Sequence, residues 1–247
     1  MVRAMAQRKF MALAAAAVVA VLSMATGVAE GGSRFVTEPP DAESSRAYRY
    51  ATLGSEDCLA ALKKREVPFK EVEPTRGVET PVRLTGPLHG VRFRTVTAQG
   101  PEDKDHRTIA DCRLVLALDD LAQVLHRHDV VEAEYYSMYR RRGLGWVKPG
   151  KRHPGGRAID LVTLRLSDGT AYSVRNDFHG GVGAQTCGDK ATKPRKDTPG
   201  AQLWRSVVCE MDRMRSFNLL LTPNHDWGHR DHLHMEVRSG IKWFLIH

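Results

Sequence analysis

The stretch Ala158–Val174, AIDLVTLRLSDGTAYSV, decides the fold class. Two apolar, strand-forming runs flank an Asp168-Gly169 dipeptide, and Asp-Gly between such runs is a hairpin signal, because both central turn residues need positive φ. Neighbouring segments extend this reading. Upstream, VVEAEYYSMYRR (130–141) reads as a strand, and ADCRLVLALDDLAQVLHRH (110–128) places Leu114, Leu118, Leu121 and Leu125 at three- and four-residue steps, one apolar helix face turned to the core. Downstream, AQLWRSVVCEMDRMRS (201–216) reads as an amphipathic helix, with FNLLLT (217–222) and HLHMEVR (232–238) as closing strands.

Nearer the start, SEDCLAALKKR (55–65) has Ser55 as N-cap and acids in its first turn, hence a short helix. PVRLTGPLHGVRFRTV (81–96) reads as two short strands broken by Gly-Pro and His-Gly turns. Regular βαβ alternation is missing, so the class is α+β, an antiparallel sheet flanked by helices. Residues 180–200, rich in Gly, Lys and Pro, read as a long surface loop, and residues 30–54, polar and holding Pro39-Pro40, as a disordered spacer. One domain, residues 55–247, is expected from a chain of 247 residues that is 42% hydrophobic and 7% aromatic.

Residues 1–29 carry Arg3, Arg8 and Lys9, an uncharged Ala- and Val-rich run from Phe10, and small residues at Ser23, Ala25, Gly27 and Ala29. That is the layout of a secretory signal peptide with an exit after Ala25 or Ala29. The alternative is an uncleaved N-terminal anchor, since an uncharged run of roughly 20 residues just spans a bilayer. Beyond such an anchor no segment is expected to meet a membrane. Losing the leader removes three positive charges and no negative one, taking the formal net charge from +8 to +5. This mild, dispersed surplus suits an anionic matrix such as a bacterial cell wall. It does not indicate nucleic acid, because aromatic platforms are not interleaved with the basic residues. Four cysteines in an exported chain imply two disulfides. Cys58 with Cys112 and Cys187 with Cys209 is the expected pairing, each joining a helix to a nearby segment and closing a local loop.

The chemistry concentrates in two places. In KRHPGGRAIDL, His153 and Asp160 bracket a tight Pro154-Gly155-Gly156 turn that lets a loop histidine and a strand aspartate meet. In DHLHMEV, strand alternation puts His232 and His234 on one face. Three ligands and an additional imidazole can therefore converge, as a zinc ion with an open position requires.

His153-x-x-Gly156-x-Ala158-x-Asp160, followed by His232-x-His234, resembles the zinc pattern of the D-Ala-D-Ala carboxypeptidase and LAS group of peptidoglycan metallopeptidases. Within that group, the layout over roughly residues 55–240 resembles the extensin-like C-terminal domain family: a short Cys-bearing helix, a Cys-led second helix, a Tyr/Arg strand and two histidine segments. The resemblance implies a Hedgehog/DD-peptidase-like fold. It further implies His153, Asp160 and His234 as zinc ligands, His232 as base or proton shuttle, His229 in the active site, and Arg140 contacting substrate. In that scheme zinc lowers the pKa of a bound water to around 7, and zinc with Arg140 stabilises the oxyanion. Lys151 and Arg152 depart from the serine and glutamate common in related sequences. Asp226 and Asp231 read either as orienting partners of imidazoles or as turn residues.

Two functions follow. One is an exported, periplasmic or extracellular, zinc-dependent peptidase or amidase acting on peptidoglycan peptides. The other is a catalytically silent, zinc-stabilised module that binds the cell wall. His232 separates them, because a purely structural site has no use for an additional imidazole.

Overall fold

The computed structural model describes residues 36–37, 41–141 and 150–247. In chain order the elements are β1 (Val36–Thr37), α1 (Arg46–Thr52), α2 (Ser55–Lys64), β2 (Phe69–Glu71), β3 (Pro81–Leu84), β4 (Arg92–Thr95), β5 (Ala110–Asp111) and α3 (Cys112–Arg127). There follow β6 (Val130–Tyr135), β7 (Ala158–Leu166), β8 (Ala171–Ser173), α4 (Val174–Asp177), α5 (Pro199–Met214), β9 (Leu219–Leu221), β10 (Leu233–Glu236) and β11 (Phe244–Ile246). The larger sheet runs β1-β11-β9-β10-β7-β6-β4 with β8 also paired to β7, and β2-β3-β5 form a second sheet.

The class is α+β, but the expected antiparallel sheet is mixed. β4 pairs parallel to β6 and β11 parallel to β9. The first of these needs a crossover connection, which the sixteen-residue α3 supplies between β4 and β6. The hairpin read at Asp168-Gly169 is present: β7 and β8 pair antiparallel, Gly169 has φ +88°, and Asp168 Oδ1 accepts from Thr170 N at 2.8 Å.

α3 is more central than an amphipathic surface helix. Its Cys112–Ala122 stretch is buried throughout, including Asp119 and Asp120. Burying two carboxylates demands partners, and they come from several elements. Arg65 reaches both acids, Arg46 pairs with Asp120 at 3.0 Å, and the Tyr50 and Ser216 hydroxyls donate to Asp120 Oδ2 at 2.7 and 2.6 Å. Two of these partners lie in the segment read as a spacer. Ala47, Tyr50 and Ala51 of α1 are buried, and Ala47 N donates to Arg215 O at 2.8 Å, so the fold begins before Ser55. A seven-residue helix is too short to show a clear apolar period, and beside Tyr50 and Ala51 in the core its ties to α3 are polar. The leader and Pro39-Pro40 lie outside the described residues. Ser55 is the first residue of α2 rather than its cap; Gly54 holds the cap position, and the Ser55 hydroxyl accepts from Thr80.

Both expected disulfides are formed, Cys58–Cys112 between α2 and α3 and Cys187–Cys209 between the 178–198 connection and α5. That connection is mostly exposed, with Thr186 and Cys187 buried beneath it. The two bridges point to an exported protein, and among the described residues no helix is long and apolar enough to cross a membrane.

Candidate metal centre

Register brings the first two candidate ligands together. β10 runs antiparallel to β7 with His234 directly opposite Asp160, so two residues 74 apart in sequence share one face at cross-strand distance. The third arrives on a short 3-10 turn, His153–Gly155, immediately before β7. Two glycines shape that turn. A Cβ on Gly155 would lie 2.6 Å from the Gly150 carbonyl carbon, and Gly156 adopts φ +63° while its carbonyl accepts from Asp111 N at 2.8 Å. Arg152, just ahead, also has positive φ, +48°.

His153, Asp160 and His234 are all buried, and one donor atom from each lies within 4.8 Å of the others. Asp160 Oδ1 sits 3.1 Å from His153 Nε2 and 2.9 Å from His234 Nδ1. The other carboxylate oxygen, Oδ2, accepts from Arg140, whose Nε donates to Ser137 Oγ at 2.7 Å. Asp160 thus turns one oxygen to the two imidazoles and anchors the other.

The protonation state of His153 follows from its neighbours. Met138 O can only accept, so Nδ1, 3.2 Å away, carries the proton. Burial pushes this imidazole well below its ordinary pKa, and the nearby His234 and Arg140 push the same way. His153 is therefore neutral at pH 7 and presents a bare Nε2 lone pair to a carboxylate oxygen. Two acceptors facing each other at 3.1 Å repel unless a cation lies between them, and this donor set fits a divalent metal. Glu236 completes the arrangement from β10. Its Oε2 and His234 Nε2 are both buried, lie 3.7 Å apart and have no hydrogen-bond partner among the described residues. A proton held on Nε2 toward Glu236 leaves Nδ1 free on the metal side.

His232, just ahead of β10, stands beside the trio rather than within it. Its Nδ1 donates to Asp231 Oδ1 at 2.9 Å, and its Nε2 is 3.7 Å from Asp160 Oδ1. Burial lowers its pKa despite Asp231, leaving a neutral imidazole with a free Nε2 lone pair. The Tyr136 ring meets His232 edge-on at 5.9 Å, and its hydroxyl reaches Asp231 at 3.4 Å. His229, on the Trp227–His229 turn, donates through Nδ1 to Asp226 Oδ1 at 2.8 Å, and its ring lies 5.1 Å from His232. Burial lowers its pKa too. Both aspartates orient imidazoles, which resolves the two readings open for them, although Asp226 also caps its turn.

Every site residue expected from the sequence lies in this one region, and Arg140 takes an additional part there. It is bonded to Asp160 and Ser137, while its side chain is 46% exposed. Tyr136 and Ser137 carry no sequence signal of their own, and Glu236 only the strand alternation it shares with His234. Register places Glu236, and backbone bonds with Asp160 place the other two: Tyr136 N donates to Asp160 O at 2.9 Å and Asp160 N to Ser137 O at 3.4 Å.

The model of the family described as extensin-like protein C-terminus matches residues 56–244. The chain belongs to the extensin-like protein C-terminus family. No curated protein and no solved structure matches it. The match takes in α2, both disulfides and all of the His/Asp group, so the candidate centre lies wholly inside the extensin-like domain.

Proposed function

We propose that this extensin-like domain is an exported, periplasmic or extracellular zinc-dependent peptidase or amidase acting on peptidoglycan peptides, with a DD-peptidase-like arrangement of its sheet. The observation that carries the reading is a neutral third imidazole, His232, beside a buried His-Asp-His donor set. Ligands His153, Asp160 and His234 would hold the zinc, which when bound supplies a Lewis acid that polarises a carbonyl and acidifies water. His232 Nε2 would accept the proton of the attacking water and return it to the leaving amine nitrogen, while Asp231 holds the ring through Nδ1. Arg140, half-exposed beside Asp160, would face the negative charge that develops on the scissile carbonyl oxygen. The two disulfides support an exported setting, and the basic surplus supports an anionic wall as the matrix.

One observation favours the silent, wall-binding reading: the Arg140 guanidinium is already engaged by Asp160 and Ser137. Digestion of purified muropeptides by zinc-loaded protein, with and without chelator, separates the two. The catalytic reading expects chelator-sensitive cleavage that falls by roughly two or more orders of magnitude in His232→Ala. Full zinc occupancy with no cleavage of any muropeptide would leave the binding module.

A further inference from the structure

A cleft of about 730 Å³ opens between the small sheet and the β4–β6 edge of the large one. Consecutive tyrosines divide here: Tyr136 packs on His232, whereas Tyr135 lines the cleft. Tyr135 is 2% exposed, and its hydroxyl makes no hydrogen bond among the described residues. Burial pushes its pKa up, so the hydroxyl keeps its proton and has it available to donate. Arg83, on the same wall, is held by Nε to Thr108 Oγ1 at 2.7 Å and by one amino group to Asp105 O at 3.2 Å. It forms no ion pair among the described residues. Of the nearby carboxylates, exposed Asp103 acts on Arg83 without forming an ion pair among the described residues, and the other two are spent elsewhere. Asp105 accepts from Arg107 and from the N–H of Gln99 and Arg107, and Glu102 pairs with Arg92 at 3.5 Å.

On one wall of the cleft, then, a part-buried guanidinium without an ion pair stands beside a phenol hydroxyl without a hydrogen bond among the described residues, a pair of donors suited to one anionic group. We propose that this cleft is a second site, separate from the metal centre, for a small organic anion whose carboxylate or phosphate rests on Arg83 and the Tyr135 hydroxyl. The ligand's apolar body would lie against Phe93 and Pro87 in the same cleft. The lining sets Lys70, Arg83 and Arg92 against Glu102 and Asp103, a surplus of one positive charge, so the ligand carries one anionic end.

Benzoate and phenyl phosphate serve as probes, with benzamide as the neutral control, titrated into the full chain by calorimetry and by NMR of the arginine Nε–H signals. The expected result is saturable binding of at least one anion, a shift of the Arg83 signal, and no binding of benzamide; the preferred anion tells carboxylate from phosphate. Tyr135→Phe should weaken binding about tenfold, as loss of one hydrogen bond to a charged group does, and Arg83→Gln should abolish it. Asp160→Asn, which disables the metal centre, should leave it unchanged. Failure of both anions to saturate, or binding unaffected by Arg83→Gln and Tyr135→Phe, would overturn the proposal.

Discussion

Gly155→Ala tests how the turn geometry reaches the metal centre. The added Cβ would lie 2.6 Å from the carbonyl carbon, 2.7 Å from the oxygen and 3.1 Å from the Cα of Gly150. All three are backbone atoms, so no side chain can rotate away. Relief requires the two arms of the loop to part by close to 1 Å, against the bonds from Gly155 N to Lys151 O at 3.0 Å and from Asp111 N to Gly156 O at 2.8 Å. Overpacking of this kind costs about 1–3 kcal/mol, and the displaced residue next door but one is His153. Zinc affinity should fall roughly 10–100-fold, the range for disturbing a ligand's support. Calorimetric titration with zinc measures this, and Gly169→Ala provides the control. That residue has positive φ, +88°, which Gly155 does not, and meets nothing within 4 Å, so it should cost about 1 kcal/mol of stability and no zinc affinity. Equal zinc affinity in Gly155→Ala and the parent protein would refute the claim that this turn positions His153.

The disulfides should differ in worth. Loop-closure entropy over sequence separations of 54 and 22 gives about 4 kcal/mol for Cys58–Cys112 and about 3 kcal/mol for Cys187–Cys209; paired Cys→Ala variants compared by urea unfolding should keep that order, and the reverse order would contradict it. Stability of the metal-free protein should fall on acidification. The pKa values of His153, His232 and His229 are depressed in the fold, so their contribution is present above the unfolded value of about 6.5 and is lost as the pH drops below it toward the folded values. Each group adds at most about 1.4 kcal/mol per pH unit, and a urea midpoint that held constant or rose between about pH 7 and pH 5.5 would oppose this account.

The elements legible in the sequence were those long enough to show a period or closed by strong turn chemistry, such as α3, α5 and the β7–β8 hairpin. Pieces of two to four residues, β1, β2, β5, β11 and α4, leave no periodic trace. Parallel pairing of β4 with β6 was hidden because it depends on the path of α3, not on either strand's own residues. The sequence around α1 has a spacer's composition because the ties of Arg46 and Tyr50 to buried Asp120 are long-range polar contacts that composition cannot reveal. At the site, spacing sufficed for His153, Asp160, His232 and His234, since Pro-Gly-Gly fixes a turn and His-x-His fixes a face. Glu236 is two residues beyond His234 and equally available to strand alternation, but only the structure shows that its buried Oε2 makes no hydrogen bond among the described residues and lies 3.7 Å from His234 Nε2. The bond from Arg140 to Asp160 is set by the path of the chain after β6 and has no sequence signature.

The central claim is that His153, Asp160 and His234 form one metal site and that His232 stands outside it. Zinc stoichiometry and affinity, measured on dialysed protein by elemental analysis and calorimetry for the parent chain, Asp160→Asn and His232→Ala, test it most directly. One zinc per chain is expected in the parent and in His232→Ala. Asp160→Asn should hold none, because it removes the only anionic donor and leaves two neutral imidazoles. Equal loss of zinc from both variants, or one zinc retained by Asp160→Asn, would contradict it.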